Sequence, residues 1–191
     1  MKLLLPLALI STSLMAFNPI DYNRLLTENE CPRCDLYEVD LSGKTLEGAN
    51  LEGANLVGAN LRKANLKGAE LNGANLSNAD LSSTIFDQAS LEEAVLTTAK
   101  LDNATFKNAS LEKANFDRCS MKNIDFQEAD LSKATLISTN LTNANFNKTE
   151  LEKANFEHSY MLGANFDKAS LNEAELSNTY LVLTSFVESS L

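Results

Sequence analysis

From Leu36 to Leu191 an apolar residue falls on every fifth position, and all 32 of these positions hold Leu, Phe or Met. With each of them written as i, the residue at i−2 is usually Ala, as at Ala49, Ala54, Ala59 and Ala64. Neither regular period accommodates this beat. On an α-helix five residues advance about 500°, so successive leucines drift off any single face. On a flat strand an odd step alternates faces and puts half of them in water. Each pentapeptide must therefore combine a short extended piece, with i−2 and i facing inward, and a turn at i+1 and i+2. The glycines agree, since all seven sit at i+2, and Asn often takes that place elsewhere, as at Asn78, Asn103 and Asn123. Both residues tolerate the positive φ that a type II turn requires.

A second, longer beat sets the number of sides. Phe86, Phe106, Phe126, Phe146, Phe166 and Phe186 are spaced by 20 residues, and so are the exceptions at i−2, Cys119, Thr139, Ser159 and Thr179. Twenty residues is four pentapeptides, so one coil has four sides and the whole run makes about eight coils. Stacked at ~4.8 Å per layer, these coils would form a rod roughly 40 Å tall. Burial of each large inward side chain contributes ~1.5–3 kcal/mol.

Ala49-Asn50-Leu51, Ala54-Asn55-Leu56, Ala79-Asp80-Leu81 and Ala129-Asp130-Leu131 spell the motif A(D/N)LXX. By these residues the chain resembles the pentapeptide repeat family over about four-fifths of its length. The resemblance implies an all-β fold, a right-handed quadrilateral parallel β-helix, with a short N-terminal capping helix. Exported members from photosynthetic bacteria look similar at the front, with a signal peptide, a short helix and a Cys-Pro-x-Cys-Asp-Leu start, which implies a periplasmic or thylakoid-lumen address. The family supplies no catalytic residues to carry over. Two positions depart from the motif. Lys44 occupies an inward i−2 site, where a buried charge is costly, so the first coil is expected to splay and let it snorkel out. Ile124 is oversized for its site and is expected to bulge the wall.

Residues 1–16 read as a signal peptide. Lys2 provides a short positive region, Leu3 to Leu14 an apolar core, and cleavage is expected after Ala16, with Ser13 as second choice. An uncleaved membrane anchor is the rival reading, but the apolar run is short for a span of ~20 residues. Residues 17–35 then lead into the repeat at 36–191. Asn18 can cap a helix, Pro19 suits its first position and Asp21 favours its positive end, which predicts a helix over residues 19–28 laid across the open first coil. Tyr22, Leu25 and Leu26 would be its apolar stripe. Cys31 and Cys34 form a Cys-x-x-Cys pair with three readings: a local disulfide, favoured in an exported protein; a redox motif, which would want a βαβ setting; and a zinc site, for which only Cys119 and His158 remain as further ligands.

The formal net charge of −10 argues against nucleic-acid binding, which needs a basic face, and against attraction to an anionic membrane. No catalytic constellation stands out, and no cofactor or metal is expected. Tyr160, Leu162, Tyr180, Val182 and Leu183 fall at outward positions on one side of adjacent coils, with Val187 on the next side. A contiguous apolar patch of this kind marks a contact site. The repeat runs to Leu191, so the pattern predicts partner docking or a homodimer through the C-terminal coil. Function reads as a non-enzymatic exported scaffold with an unnamed protein partner and no stable membrane insertion after cleavage. The alternative, by analogy with acidic family members that mimic duplex DNA, is a rod that binds a DNA-handling protein such as gyrase.

Overall fold

The computed structural model describes residues 16–191, so the expected signal peptide lies, but for Ala16, outside the described residues. Helix α1 spans Pro19–Glu28. The Asn18 side chain accepts the Ile20 N–H at 3.0 Å and Asn29, at φ 59°, ends the helix in the left-handed region. Leu25 is buried against the first coil and Phe17 and Tyr22 pack partly on it, whereas Leu26 is 41 % exposed. The inward stripe is thus narrower than the i, i+3, i+4 spacing predicts.

From Glu30 onward the chain winds as a solenoid in which every bridge joins residues 20 apart in parallel, from Glu30–Asn50 to Ser170–Ser190. Four pentapeptides therefore make one coil. The sides are named here by their inward residues: the first wall carries Leu36, Leu56 and onward, the second Leu41, Leu61 and onward, the third Leu46, Leu66 and onward, the fourth Cys31, Leu51, Leu71 and onward. The beat begins one step earlier than Leu36, because Cys31 occupies an i position and Cys34 the following i−2 position. Both are buried.

One pentapeptide accounts for all of its backbone donors. Ala59 N–H donates to Leu56 O across the preceding turn, Asn60 N–H to Val39 O in the coil before, and Leu61 and Lys63 N–H to Asp80 O and Ser82 O in the coil after. The remaining donor, Arg62 N–H, is taken by the Asn60 side chain at 3.2 Å. That last bond explains the D/N of the motif: the i+1 N–H has no backbone partner, and a carboxylate or amide at i−1 supplies one. At Ser90, Thr105 and Thr135, which hold i−1, an Asn or Asp at i+1 of the previous coil does so instead. Asn72 accepts from Glu92 N–H, Asp87 from Lys107 N–H and Asp117 from Ile137 N–H.

The turn geometry is imposed by the stack rather than by glycine. Positions i+2 lie at φ of 53° to 69° whether they hold Gly58, Glu38, Lys63 or Leu183. Each non-glycine there costs ~1–2 kcal/mol of backbone strain, offset by the bonds to adjacent coils. Within the core, the third-wall phenylalanines stack at centroid distances of 4.5 to 5.3 Å. Phe116 and Phe156 reach across from the first wall and meet them edge-on, at 80° to 90°. Hydroxyls at i−2 find a main-chain carbonyl, one coil back for Thr84 Oγ1 to Leu61 O and Thr149 Oγ1 to Phe126 O, and across their own turn for Thr139 Oγ1 to Leu136 O and Thr179 Oγ1 to Leu176 O.

Two local expectations need correction. Lys44 is exposed, but the first coil does not splay, since Leu41, Gly43 and Leu46 N–H keep their bonds to the next coil at 2.7 to 2.8 Å. The lysine leaves through the side of the first coil, where no earlier layer confines it. Ile124 is fully buried without breaking the ladder, because its column neighbours Ala104 and Ala144 leave room. The strain shows only as a long turn bond of 3.3 Å from Ile124 N–H to Met121 O.

Candidate interaction surface

With most backbone donors bonded between coils and the interior mainly apolar, the outward residues are what chiefly distinguish one wall from another. They do so by charge. The fourth wall presents ten acidic side chains (among them Glu52, Glu92, Glu112 and Glu152) against four basic ones. The second wall, directly opposite, has Asp40, Asp80 and Asp102 against Arg62, Lys63, Lys100 and Lys122. After Lys122 its outward positions carry no charge at all.

That uncharged stretch is ordered by side-chain ladders. Asn143 Nδ2 donates to Asn123 Oδ1, and Asn123 Nδ2 to Asn103 Oδ1. Gly163 continues the column, where an added Cβ would stand 2.7 Å from Asn143 Oδ1. Beside it, Tyr160 and Tyr180 stack nearly parallel with centroids 4.6 Å apart. Both rings are exposed, as are Val182, Leu183 and, on the third wall, Val187, while Leu162 is half-buried. The six residues singled out in the sequence therefore lie together at one corner of the rod. Leu181, an inward residue of the last coil, adds exposed apolar surface there.

At the opposite end, the sulfurs of Cys31 and Cys34 are joined within one buried turn. Cys119 is buried in the second wall with its Sγ–H directed to Leu96 O, and burial pushes its thiol up to about 12. It is an inert core residue. His158 is half-exposed on a turn, its Nε2 3.3 Å from Glu157 Oε1. A shallow depression of about 360 Å³ on the second wall is lined by Ser42, Gly43, Asn60, Arg62 and Lys63. The carboxylate beside Ser42 is that of Asp40, which accepts the Ser42 N–H at 2.9 Å, and hydrogen bonds from Ser42 hold it below the usual carboxylate range, so it is a weak base. Among the described residues the one group of three His, Cys, Asp or Glu ligand atoms is Asp21, Cys31 and Cys34.

Comparison with known families agrees with the four-sided winding. Residues 34–73 and 149–186 match the model for pentapeptide repeats, and 75–146 that for a pentapeptide repeat region. The chain belongs to the pentapeptide repeat family. A trypsin-treated form of QnrB1, a plasmid-mediated fluoroquinolone resistance protein, is 24 % identical with a TM-score of 0.61, over 78 % of this chain and 81 % of that one. A second trypsin-treated form is 22 % identical with a TM-score of 0.55, over 80 % and 84 %. These two likenesses show the shared right-handed β-helical solenoid. A pentapeptide repeat protein from the Arabidopsis thaliana thylakoid lumen is 29 % identical over 70 % of this chain and 74 % of its own, with a TM-score of 0.25. No curated protein matches the sequence. No helix among the described residues is long and apolar enough to cross a membrane.

Proposed function

We propose that this pentapeptide repeat protein is a non-enzymatic scaffold of about eight coils, exported to the periplasm or thylakoid lumen, that docks a protein partner on the C-terminal half of its second wall. The observation that carries the reading is the loss of every charge from that half-wall, together with the exposed Tyr160–Tyr180 stack. Elsewhere the rod keeps its charges on the outside, where they serve solubility. An uncharged strip edged by two aromatic rings is what a desolvated contact requires. The Cys31–Cys34 pair and the apolar amino terminus support the exported address.

Capture with tagged mature protein from the exported fraction tests this, run beside a Tyr160→Asp/Tyr180→Asp variant. A partner retained equally by both proteins would refute the assignment of the wall. Self-association at the same corner, including the last coil, is the simplest form of docking, and sedimentation at micromolar concentration reports it.

The second reading, an acidic rod that mimics duplex DNA toward a protein such as gyrase, is favoured by the excess of carboxylates on the fourth wall. The basic residues on the opposite wall count against it. Cell fractionation separates the two readings, since uncleaved protein in the cytosol would support the mimic and exclude the exported scaffold.

A further inference from the structure

We propose that the dithiol form of the N-terminal end binds a thiophilic divalent cation such as Zn²⁺ through Cys31, Cys34 and Asp21, so that metal and disulfide are alternative staples for the same coil. One ligand atom from each of the three residues lies within 4.8 Å of the others. Chain order hides the third ligand, because Asp21 lies on α1, ten residues before Cys31.

The frame around the three groups is built by backbone bonds that do not involve the sulfurs. Asn18 N–H donates to Asp35 O, and Asp21 Oδ2 accepts Asp35 N–H at 2.9 Å, which holds the first turn of α1 over the cysteine turn. Cys31 N–H is bonded to Asn50 O in the next coil and Cys34 N–H to Cys31 O. Asp21 uses one carboxylate oxygen in this arrangement and has a second to offer. Its main-chain oxygen is 3.1 Å from Cys31 Sγ, which places one more oxygen donor beside the sulfurs.

Charge explains why the carboxylate matters in only one redox state. A disulfide is neutral and indifferent to Asp21. Two buried thiolates beside a carboxylate would be three uncompensated negative charges, and among the described residues Asp21 has no cationic partner within ion-pair distance. The reduced pair must therefore keep both protons or exchange them for a dication. Two thiolates and one carboxylate, with a fourth position left over, form a tetrahedral donor set for zinc. Reduction by a dithiol or phosphine adds two electrons and two protons to the S–S bond, the reductant being oxidised in turn. Binding then releases two protons as both S–metal bonds form.

The test uses the full mature chain with Cys119→Ala, which restores the commonest residue at i−2 and removes the third thiol. After phosphine reduction and anaerobic removal of the phosphine, Co²⁺ is titrated and the thiolate-to-cobalt charge-transfer and tetrahedral d–d bands are read. One equivalent should saturate the reduced protein, Zn²⁺ should displace it, and the unreduced protein should give no band. Asp21→Asn keeps an acceptor for Asp35 N–H but is a poor ligand, and should weaken binding by at least ~10-fold, the scale of losing even an outer-shell partner. The melting midpoint of unreduced Asp21→Asn protein, equal to that of the parent, shows that the cap is intact. Absence of the charge-transfer band, or equal affinity with Asn at 21, would overturn the site.

Discussion

The second and fourth walls of the rod are built on one backbone pattern and differ most in what points outward. On the fourth, Lys113 pairs with Glu93 at 3.0 Å, Lys133 with Glu112 at 2.8 Å, and Lys153 with Glu152 and Glu173 at 2.9 and 3.6 Å. Hydrogen bonds from Lys133 and Lys153 hold the Glu112 and Glu152 carboxyls below the usual carboxylate range. On the second, the corresponding coils carry Asn ladders that give way to tyrosines. Stability resides in the shared interior and identity on the walls, so substitutions on opposite sides of one Cα should have unrelated consequences.

The largest effect should come from turning a fourth-wall residue from an inward apolar group into a charge. Leu111→Asp forfeits ~1.5–3 kcal/mol of burial and leaves an unpaired carboxylate in the core at a further cost of several kcal/mol. It should abolish the cooperative melt or lower its midpoint by tens of degrees. A midpoint equal to that of the parent would show that i does not face inward. Next in size, Tyr160→Ala with Tyr180→Ala should cost ~2 kcal/mol or more of partner binding, a loss of over tenfold, while the melting curve stays in place. If the melt moves as far as the binding does, the tyrosines belong to the fold and the contrast between interior and wall fails.

Gly163→Ala probes the backbone of the second wall. A left-handed φ of 68° and the close Asn143 Oδ1 should together cost at least ~1–2 kcal/mol, measurable as a shift in denaturant midpoint. The smallest effect belongs to the fourth-wall ion pairs. Lys133→Ala should leave the denaturant midpoint nearly unchanged, because both partners are well solvated. Acid should act the same way on Glu112 and Glu152, and on Glu128, whose pair with Lys148 lies on the third wall. Their folded values are depressed, so their contribution is present above the unfolded value, 4.5, and is lost as pH falls through the folded one. The melting midpoint should be flat near neutrality and decline modestly below about pH 4.5. With Lys133→Ala and Lys148→Ala combined, that acid decline should shrink.

The inward pair, the turn and the four sides were legible because a period is a geometric constraint, and only one winding satisfies both the 5-residue and the 20-residue beats. The start of α1 was legible from Asn18 and Pro19 for a local reason, capping chemistry. Other features depend on the folded arrangement. The role of Asn60 and its equivalents emerges only when four of five donors have been assigned elsewhere and the i+1 N–H is left over. Lys44 escapes without opening its coil because it sits in a layer with no predecessor, a fact about stacking order rather than sequence. The contrast in charge between opposite walls was present in the sequence all along, and a reading of outward positions at 20-residue spacing would have found it.

By itself the sequence determined which residues face inward, how many pentapeptides close a coil and where the turns fall, since a strict repeat leaves burial no other solution. The tertiary structure decided what lies beside what across coils. It placed Asp21 over Cys31 and Cys34, stacked Tyr160 on Tyr180, and held Glu, Lys and Leu at i+2 in a conformation that their side chains disfavour. These outcomes depend on contacts between residues ten or twenty positions apart, which local preference does not encode and which the hydrogen-bonded stack enforces.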